Sequence, residues 1–214
     1  MSLESSRLTD GAAALGLSPS NKQIGALLAY LELLRKWNRV YNLTAIRDPS
    51  RMLEQHLLDS LTIVEPLRRW SGGNAKHVLD VGSGAGLPGI VIATLIPAFD
   101  VTCVDAVSKK ASFVRQVAAE LELRNLHSLH TRVESLAHDP FEMITSRAFA
   151  ALAEFTALTR HLLAPGGTWL AMKGKYPTNE IDALPAQTEM FHVEQVRVRG
   201  LEADRCLVWM RAQG

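Results

Sequence analysis

The chain changes hydrophobic period near residue 71. Before it, Ile24, Leu27, Leu28, Leu31 and Leu34 recur at i, i+3, i+4, i+7 and i+10, one face of a helix. Arg35, Lys36 and Arg39 follow, where cations suit the negative end of the helix dipole. A second helical stretch is predicted over 49–69, with Asp48 as its N-cap and Pro49 in the first turn. Ser71-Gly72-Gly73-Asn74 then reads as a loop. Beyond it, strands predicted at 77–81, 100–105, 126–130, 142–146 and 168–173 alternate with helices at 87–96, 108–123 and 151–163. Ser108 is placed to cap the second of these helices, and Pro165-Gly166-Gly167 to close the third. A short helical stretch follows near 180–184. Two β-rich runs, 191–198 and 205–210, joined by a glycine-containing turn, read as a hairpin at one sheet edge. Repeated βα units imply a parallel sheet covered on both faces. The expected fold is α/β: a doubly wound, mostly parallel seven-stranded sheet with a C-terminal antiparallel hairpin. Residues 1–70 form a helical extension packed on the core, and 71–214 the α/β domain.

Composition narrows the class. At 214 residues there is room for one sizeable α/β domain and a modest extension. The balance of 47% hydrophobic to 21% charged residues is that of a soluble globular protein, and no apolar run reaches membrane-spanning length. Met1 to Asp10 is polar and mixed in charge, unlike a secretory signal. Cys103 and Cys206 sit singly in apolar, strand-like stretches, so both are expected as reduced core thiols, with no metal site. These features point to the cytoplasm. The net charge of +1 means that an RNA partner would require the basic residues to gather on one face.

The candidate chemistry lies in Asp80-Val81-Gly82-Ser83-Gly84-Ala85-Gly86-Leu87-Pro88-Gly89, between a strand and a helix. In an open α/β sheet that position is the ligand crevice. Glycines there permit close approach of a ligand and positive φ angles. The acid two residues before the first glycine sets this loop apart from a dinucleotide fingerprint, whose helix N-terminus receives a pyrophosphate. S-adenosylmethionine has no phosphate; it carries an ammonium and a sulfonium, both of which suit a carboxylate. Asp105 ends the next strand, 23 residues after Gly82, where a doubly wound domain places the acid that takes ribose hydroxyls. Asp80 and Asp105 are also placed to serve as helix-capping acids.

With the loop in place, a family resemblance is visible. Trp37-Asn38-Arg39-Val40-Tyr41-Asn42-Leu43-Thr44, His56-Leu57-Leu58-Asp59-Ser60, the loop from Asp80 to Gly89, Arg132-Val133-Glu134, Ser146-Arg147-Ala148-Phe149-Ala150 and Ala171-Met172-Lys173-Gly174 occur in this order. Together they resemble the bacterial 16S ribosomal RNA guanine-N7 methyltransferases, also called the glucose-inhibited division protein B family. The resemblance implies a monomeric enzyme that methylates one guanine of small-subunit rRNA near the decoding site, with S-adenosylmethionine as cofactor. It makes Gly82, Leu87, Val133, Glu134 and Arg147 similar to cofactor-contacting positions, joining Asp80, Gly84, Gly86 and Asp105 from the loop analysis. The C-terminal hairpin matches weakly and contributes no residue.

Arg132, Arg147 and Lys173 fall at or just beyond strand ends, on the crevice rim, where they are candidates to hold RNA phosphate or the target base. Lys109, Lys110 and Arg115 read instead as a solvated helix face. Asn42 and Thr44 occupy a polar break between helices, and His56 and Asp59 share a helix face. Spacing alone makes these a capped turn and a surface pair; the resemblance makes all four candidates for the substrate pocket. Trp37 and Tyr41 either end the helical core stripe or stack on a splayed base. Three other readings compete: an NAD-dependent oxidoreductase, disfavoured by Asp80; a methyltransferase acting on another RNA, a protein or a small molecule; and a non-catalytic RNA-binding assembly factor.

Overall fold

A computed structural model describes residues 2–197 and 204–213. The N-terminal layer is helical: α1 (Leu3–Ala14), α2 (Asn21–Tyr41), α3 (Pro49–Met52), α4 (Asp59–Leu61) and α5 (Val64–Ser71). Ser20 and Gln23 close the start of α2 as a reciprocal capping box, and Ile24, Leu27, Leu31 and Leu34 are buried as their spacing requires. Asp48 caps α3 as expected, accepting from the Arg51 N–H. The single helix predicted over 49–69 is, however, three short pieces. Leu53–Leu58 between α3 and α4 is a π-helical turn, and a break at Thr62 and Ile63 separates α4 from α5. Apolar spacing cannot separate these cases, because a π turn inserts a residue without breaking the run of buried leucines.

The second part alternates: β1 (Lys76–Val81), α6 (Gly89–Leu95), β2 (Phe99–Asp105), α7 (Ser108–Glu120), β3 (Leu126–His130), β4 (Phe141–Arg147), α8 (Leu152–Thr159), β5 (Leu163–Lys173), α9 (Thr178–Asp182), β6 (Thr188–Arg197) and β7 (Asp204–Ala212). The strand order is β3-β2-β1-β4-β5-β7-β6, with β7 and β6 antiparallel at one edge. The doubly wound sheet with its terminal hairpin is therefore as the sequence implied; the glycine-containing turn lies outside the described residues. The order of strands reverses between β1 and β4, which opens a crevice at their carboxyl ends.

Alternation along β1 explains the two cores. Val78 faces a cluster that includes Leu8, Leu27, Leu57 and Leu67 of the helical layer and Ile92 and Phe113 of α6 and α7. Its neighbour Leu79 faces the other cluster, with Val104, Ile144, Phe155 and Trp169. The helical layer thus covers one sheet face as part of a continuous core. Cys103 and Cys206 are buried and form no disulfide with each other.

Two further expectations are corrected. Ser108 does not cap α7; the Val107 N–H donates to Asp105 Oδ1 at 2.8 Å, so the acid closes that turn from outside the helix. Pro165-Gly166-Gly167 does not end a helix. Helix α8 stops at Thr159, a 3-10 turn spans Arg160–Leu162, and the Pro-Gly-Gly run lies inside β5 beside a register shift against β4. A shift of this kind absorbs residues that a regular strand disfavours.

Candidate active site

The glycine loop is held by backbone groups and by the side chains of Asp80, Asp105 and Tyr30. The Gly82 and Ser83 N–H groups donate to the Val104 carbonyl, at 2.9 and 3.2 Å. Gly84 N–H donates to Asp105 Oδ2 at 2.9 Å, so both Asp105 oxygens are engaged by main chain while the side chain still lines a cavity. Gly82 has φ +63°, and a Cβ there would lie 2.4 Å from Phe149 Cδ2. Glycine is required at that position by conformation and by contact alike. From the helical layer, the buried Tyr30 hydroxyl donates to the Ala85 carbonyl at 3.1 Å, tying the extension to the loop.

Asp80 is placed differently from its neighbours. Its side chain is fully buried beneath the loop and lines neither cavity described below; Oδ2 accepts from the Gly89 N–H at 2.8 Å. Its carboxyl pKa is pushed up to about 7 by burial, against the lowering effect of that hydrogen bond and of Arg147. The geometry is that of the helix-closing acid, the structural alternative for this residue.

Two cavities meet at the crevice. The first, about 470 Å³, is lined by Gly82, Asp105, Lys110, Val133, Glu134 and Phe149, with Arg132 at its edge. Lys110, expected on a solvated helix face, instead brings Nζ to 3.8 Å from Asp105 Oδ2. Arg132 is mostly exposed and pairs with Glu134 at 3.3 Å. The second cavity, about 350 Å³, is lined by Thr44, His56, Asp59, Leu87, Arg147 and Arg205 together with the loop. Gly82 and Ala148 belong to both, so one thin wall separates the two spaces. Ala148 has φ +55°, a strained value for a residue with a Cβ, of the kind that concentrates at functional sites.

The second cavity has a fixed polar frame. Asp59 is buried; its Oδ2 accepts from Arg147 at 3.1 Å and its Oδ1 from Arg205 Nε. Arg147 also donates to the Gln55 carbonyl at 2.9 Å, at the widened π turn. Thr44 Oγ1 lies 3.1 Å from His56 Nε2, and the Thr44 N–H donates to Asn38 Oδ1 at 2.9 Å. Burial, reinforced by the Arg147 charge and opposed by Asp59, lowers the His56 pKa to about 4. The imidazole is neutral at physiological pH.

Of the sequence candidates, Thr44, His56, Asp59 and Arg147 converge here. Asn42 does not; it caps α2 with φ 48° and faces a separate cleft. Lys173 lines neither cavity: its Nζ donates to the Ala150 carbonyl and pairs with Glu180, at 2.9 and 2.8 Å. Gly86 lines neither cavity and packs against Ile90 and Val114 beneath the loop. Trp37 packs edge-on against Phe113 in the core, whereas Tyr41 is 44% exposed. Sequence reasoning missed Arg205, whose partner Asp59 is 146 residues away. Among the described residues no group of acids, histidines and cysteines is arranged to hold a metal.

Residues 23–208 match the family model described as rRNA small subunit methyltransferase G. The chain belongs to that family. Ribosomal RNA small subunit methyltransferase G of Leptothrix cholodnii is 60% identical over 95% of this chain and 94% of its own length. Its Acidovorax ebreus counterpart is 58% identical over 95% and 93%. Among solved structures, Burkholderia thailandensis 1,6-didemethyltoxoflavin-N1-methyltransferase aligns with TM-score 0.60 at 15% identity, over 87% of this chain and 90% of that one. TrmN from Thermus thermophilus aligns with TM-score 0.57 at 20% identity, over 72% and 49%. At such identities the likeness is one of fold, the α/β methyltransferase fold, and the family assignment rests on the sequence matches.

Proposed function

We propose that this family member transfers the methyl group of S-adenosylmethionine to N7 of a guanine in 16S rRNA, near the decoding site of the small ribosomal subunit. The observation that carries the reading is the pair of cavities sharing the Gly82–Ala148 wall. Both volumes lie in the range of small-molecule sites. The first suits a nucleoside cofactor: the Asp105 carboxylate ends β2, where a ribose diol is taken, and Gly82 leaves the wall free of a side chain. When bound, S-adenosylmethionine supplies an electrophilic methyl group on a sulfonium. The second cavity accommodates the base.

The chemistry of the second cavity favours a nitrogen lone pair. Guanine N7 is nucleophilic in the neutral base, so no proton need be removed before attack. His56 is neutral but buried and only weakly basic, and Asp59 is occupied by two arginines. Neither is suited to abstract a proton from an exocyclic amine or a ribose hydroxyl. What these groups supply is a rigid frame: Asp59 fixes Arg147 and Arg205, and Thr44 fixes His56, so the base is held in line with the methyl donor. In this reading residues 1–70 bring Thr44, His56 and Asp59 to the base side, while residues 71–214 supply the cofactor side and the rest of the base side, Arg147 and Arg205 included. One chain completes both cavities, which supports action as a monomer, in the cytoplasm where bacterial ribosomes are made.

The decisive experiment is nucleoside mass analysis of small-subunit rRNA from cells lacking the gene. 7-Methylguanosine should fall, return with the wild-type gene, and stay absent with a Gly84→Val copy. Levels indifferent to the gene would refute the assignment.

A further inference from the structure

A third concavity, about 350 Å³, lies between the end of α2 and the loop 42–49, and is lined by Arg35, Asn38, Arg39, Asn42, Arg47 and Met52. It shares a wall with the second cavity. The loop turns Asn42 and Arg47 into the cleft and Thr44 and Ile46 into the base side. Asn38 pins this wall, accepting from the Thr44 N–H and donating to the Ile46 carbonyl.

The charge here is one-sided. From residue 35 to 51 the sequence holds five cations and one acid, Asp48, in a chain whose net charge is +1; of the five, Arg35 is paired with Glu4 and Glu32. Most arginines described elsewhere face a carboxylate; Arg39, Arg47 and Arg51 do not, and all three are exposed. Arg39 gains something from the end of the α2 dipole, but Arg47 and Arg51 lie beyond that helix. Lys109 adds a fourth cation, its Nζ donating to the Tyr41 carbonyl. Exposed on the same tip are Val40 and Tyr41, at 70% and 44%. Cations beside an exposed aromatic are the pattern of single-strand recognition, in which phosphates are neutralised and a base stacks.

We propose that this cleft binds the phosphodiester backbone of single-stranded RNA flanking the target nucleotide, with phosphates at Arg39 and Arg47. The inference rests on the reading that the substrate is RNA. It also moves the grip off the rim, where Lys173 is committed to Glu180 and Arg132 to Glu134. Directing the strand over one wall of the base cavity presents a splayed nucleotide to Thr44 and His56.

The test is filter retention of a 16S rRNA transcript across a salt series, with methyl transfer measured on the same samples. Losing two phosphate contacts in Arg39→Gln/Arg47→Gln should lower the log–log salt slope by about 1.4 and weaken binding about ten- to thirty-fold at about 0.1 M salt. The KM for RNA should rise with the loss of binding, while the cofactor affinity should hold. Arg115→Gln/Arg124→Gln, which removes the same charge elsewhere, should match wild type. A cleft variant with wild-type slope and affinity overturns the proposal, as does an equal loss in the control pair. A wild-type protein that binds the transcript without methylating it would count against the assigned reaction, while the binding arm still decides the cleft.

Discussion

Asp59→Asn removes one charge and almost no volume from the centre of the base cavity. In the wild type one buried carboxylate holds two guanidiniums, Arg147 at 3.1 Å and Arg205 through Nε. The amide keeps an acceptor for one arginine and presents an N–H₂ to the other, donor against donor. Removing one partner from a buried ion pair costs about 3–5 kcal/mol. Arg147 and Arg205 side chains retain 19% and 21% of their exposure, so water compensates in part. An expected loss of about 2–3 kcal/mol follows, or about 4–12 °C in Tm for a chain of this size. Thermal and urea unfolding of Asp59→Asn, Arg205→Met and the double variant form a cycle. Arg205→Met should cost less when Asp59→Asn is already in place, because the guanidinium then removed is one that has lost its carboxylate. A Tm within about 1 °C of wild type for Asp59→Asn, or strict additivity in the cycle, would refute the reasoning.

Stability against pH should reveal two buried groups working in opposite directions. Asp80, with its carboxyl near 7, holds a proton that the unfolded chain has released, so its contribution declines as pH rises from about 4 to 7. His56, held near 4, resists a proton that the unfolded chain accepts, so its contribution is lost as pH falls from about 6.5 to 4. Relative to wild type, Asp80→Asn should gain stability as pH rises and His56→Gln should gain it as pH falls, each by up to about 3–4 kcal/mol in urea titrations; unchanged profiles would contradict the burial argument. Gly82→Ala, whose Cβ meets the Phe149 ring, should cost about 2–4 kcal/mol, against about 1–2 kcal/mol for Gly84→Ala, whose Cβ meets little but whose φ is +58°. Calorimetry should also find cofactor affinity reduced in Gly82→Ala, and wild-type Tm in that variant would disprove the contact. Finally, single-turnover methyl transfer should be flat from about pH 6 to 8 in wild type and flat at a lower level in His56→Gln. A wild-type rate that climbs with pH and loses its slope in the variant would mean a histidine base and a protonated target atom.

Legibility in the sequence followed locality. Alternation of strands and helices, the Asp48 cap of α3, and the glycine loop depend on residues within a few positions of one another, and all could be read. Asp105 was legible because a βαβ unit fixes the interval from loop to acid. The π turn at Leu53–Leu58 was not, since its residues are as apolar as those of a helix. Nor was the direction of a side chain at a strand end. Lys173 and Arg147 both close central strands, yet one turns to Glu180 and the other into the base cavity. Arg205 carried no local signal, because what makes it part of the site is a carboxylate in another layer of the protein.

That last bond also orders the assembly of the site. Apart from the Tyr30 contact, the glycine loop and Asp105 can reach their final geometry as soon as β1 and β2 have paired, since the other hydrogen bonds that hold them come from those strands and the adjoining loops. The base cavity cannot. Its frame closes when Arg205, carried on the final strand, meets Asp59, set in the N-terminal helical layer, and a contact so distant in sequence forms late. A folding intermediate with an intact nucleoside-binding loop would therefore still have an open acceptor side, and would hold its methyl donor without a partner to receive it.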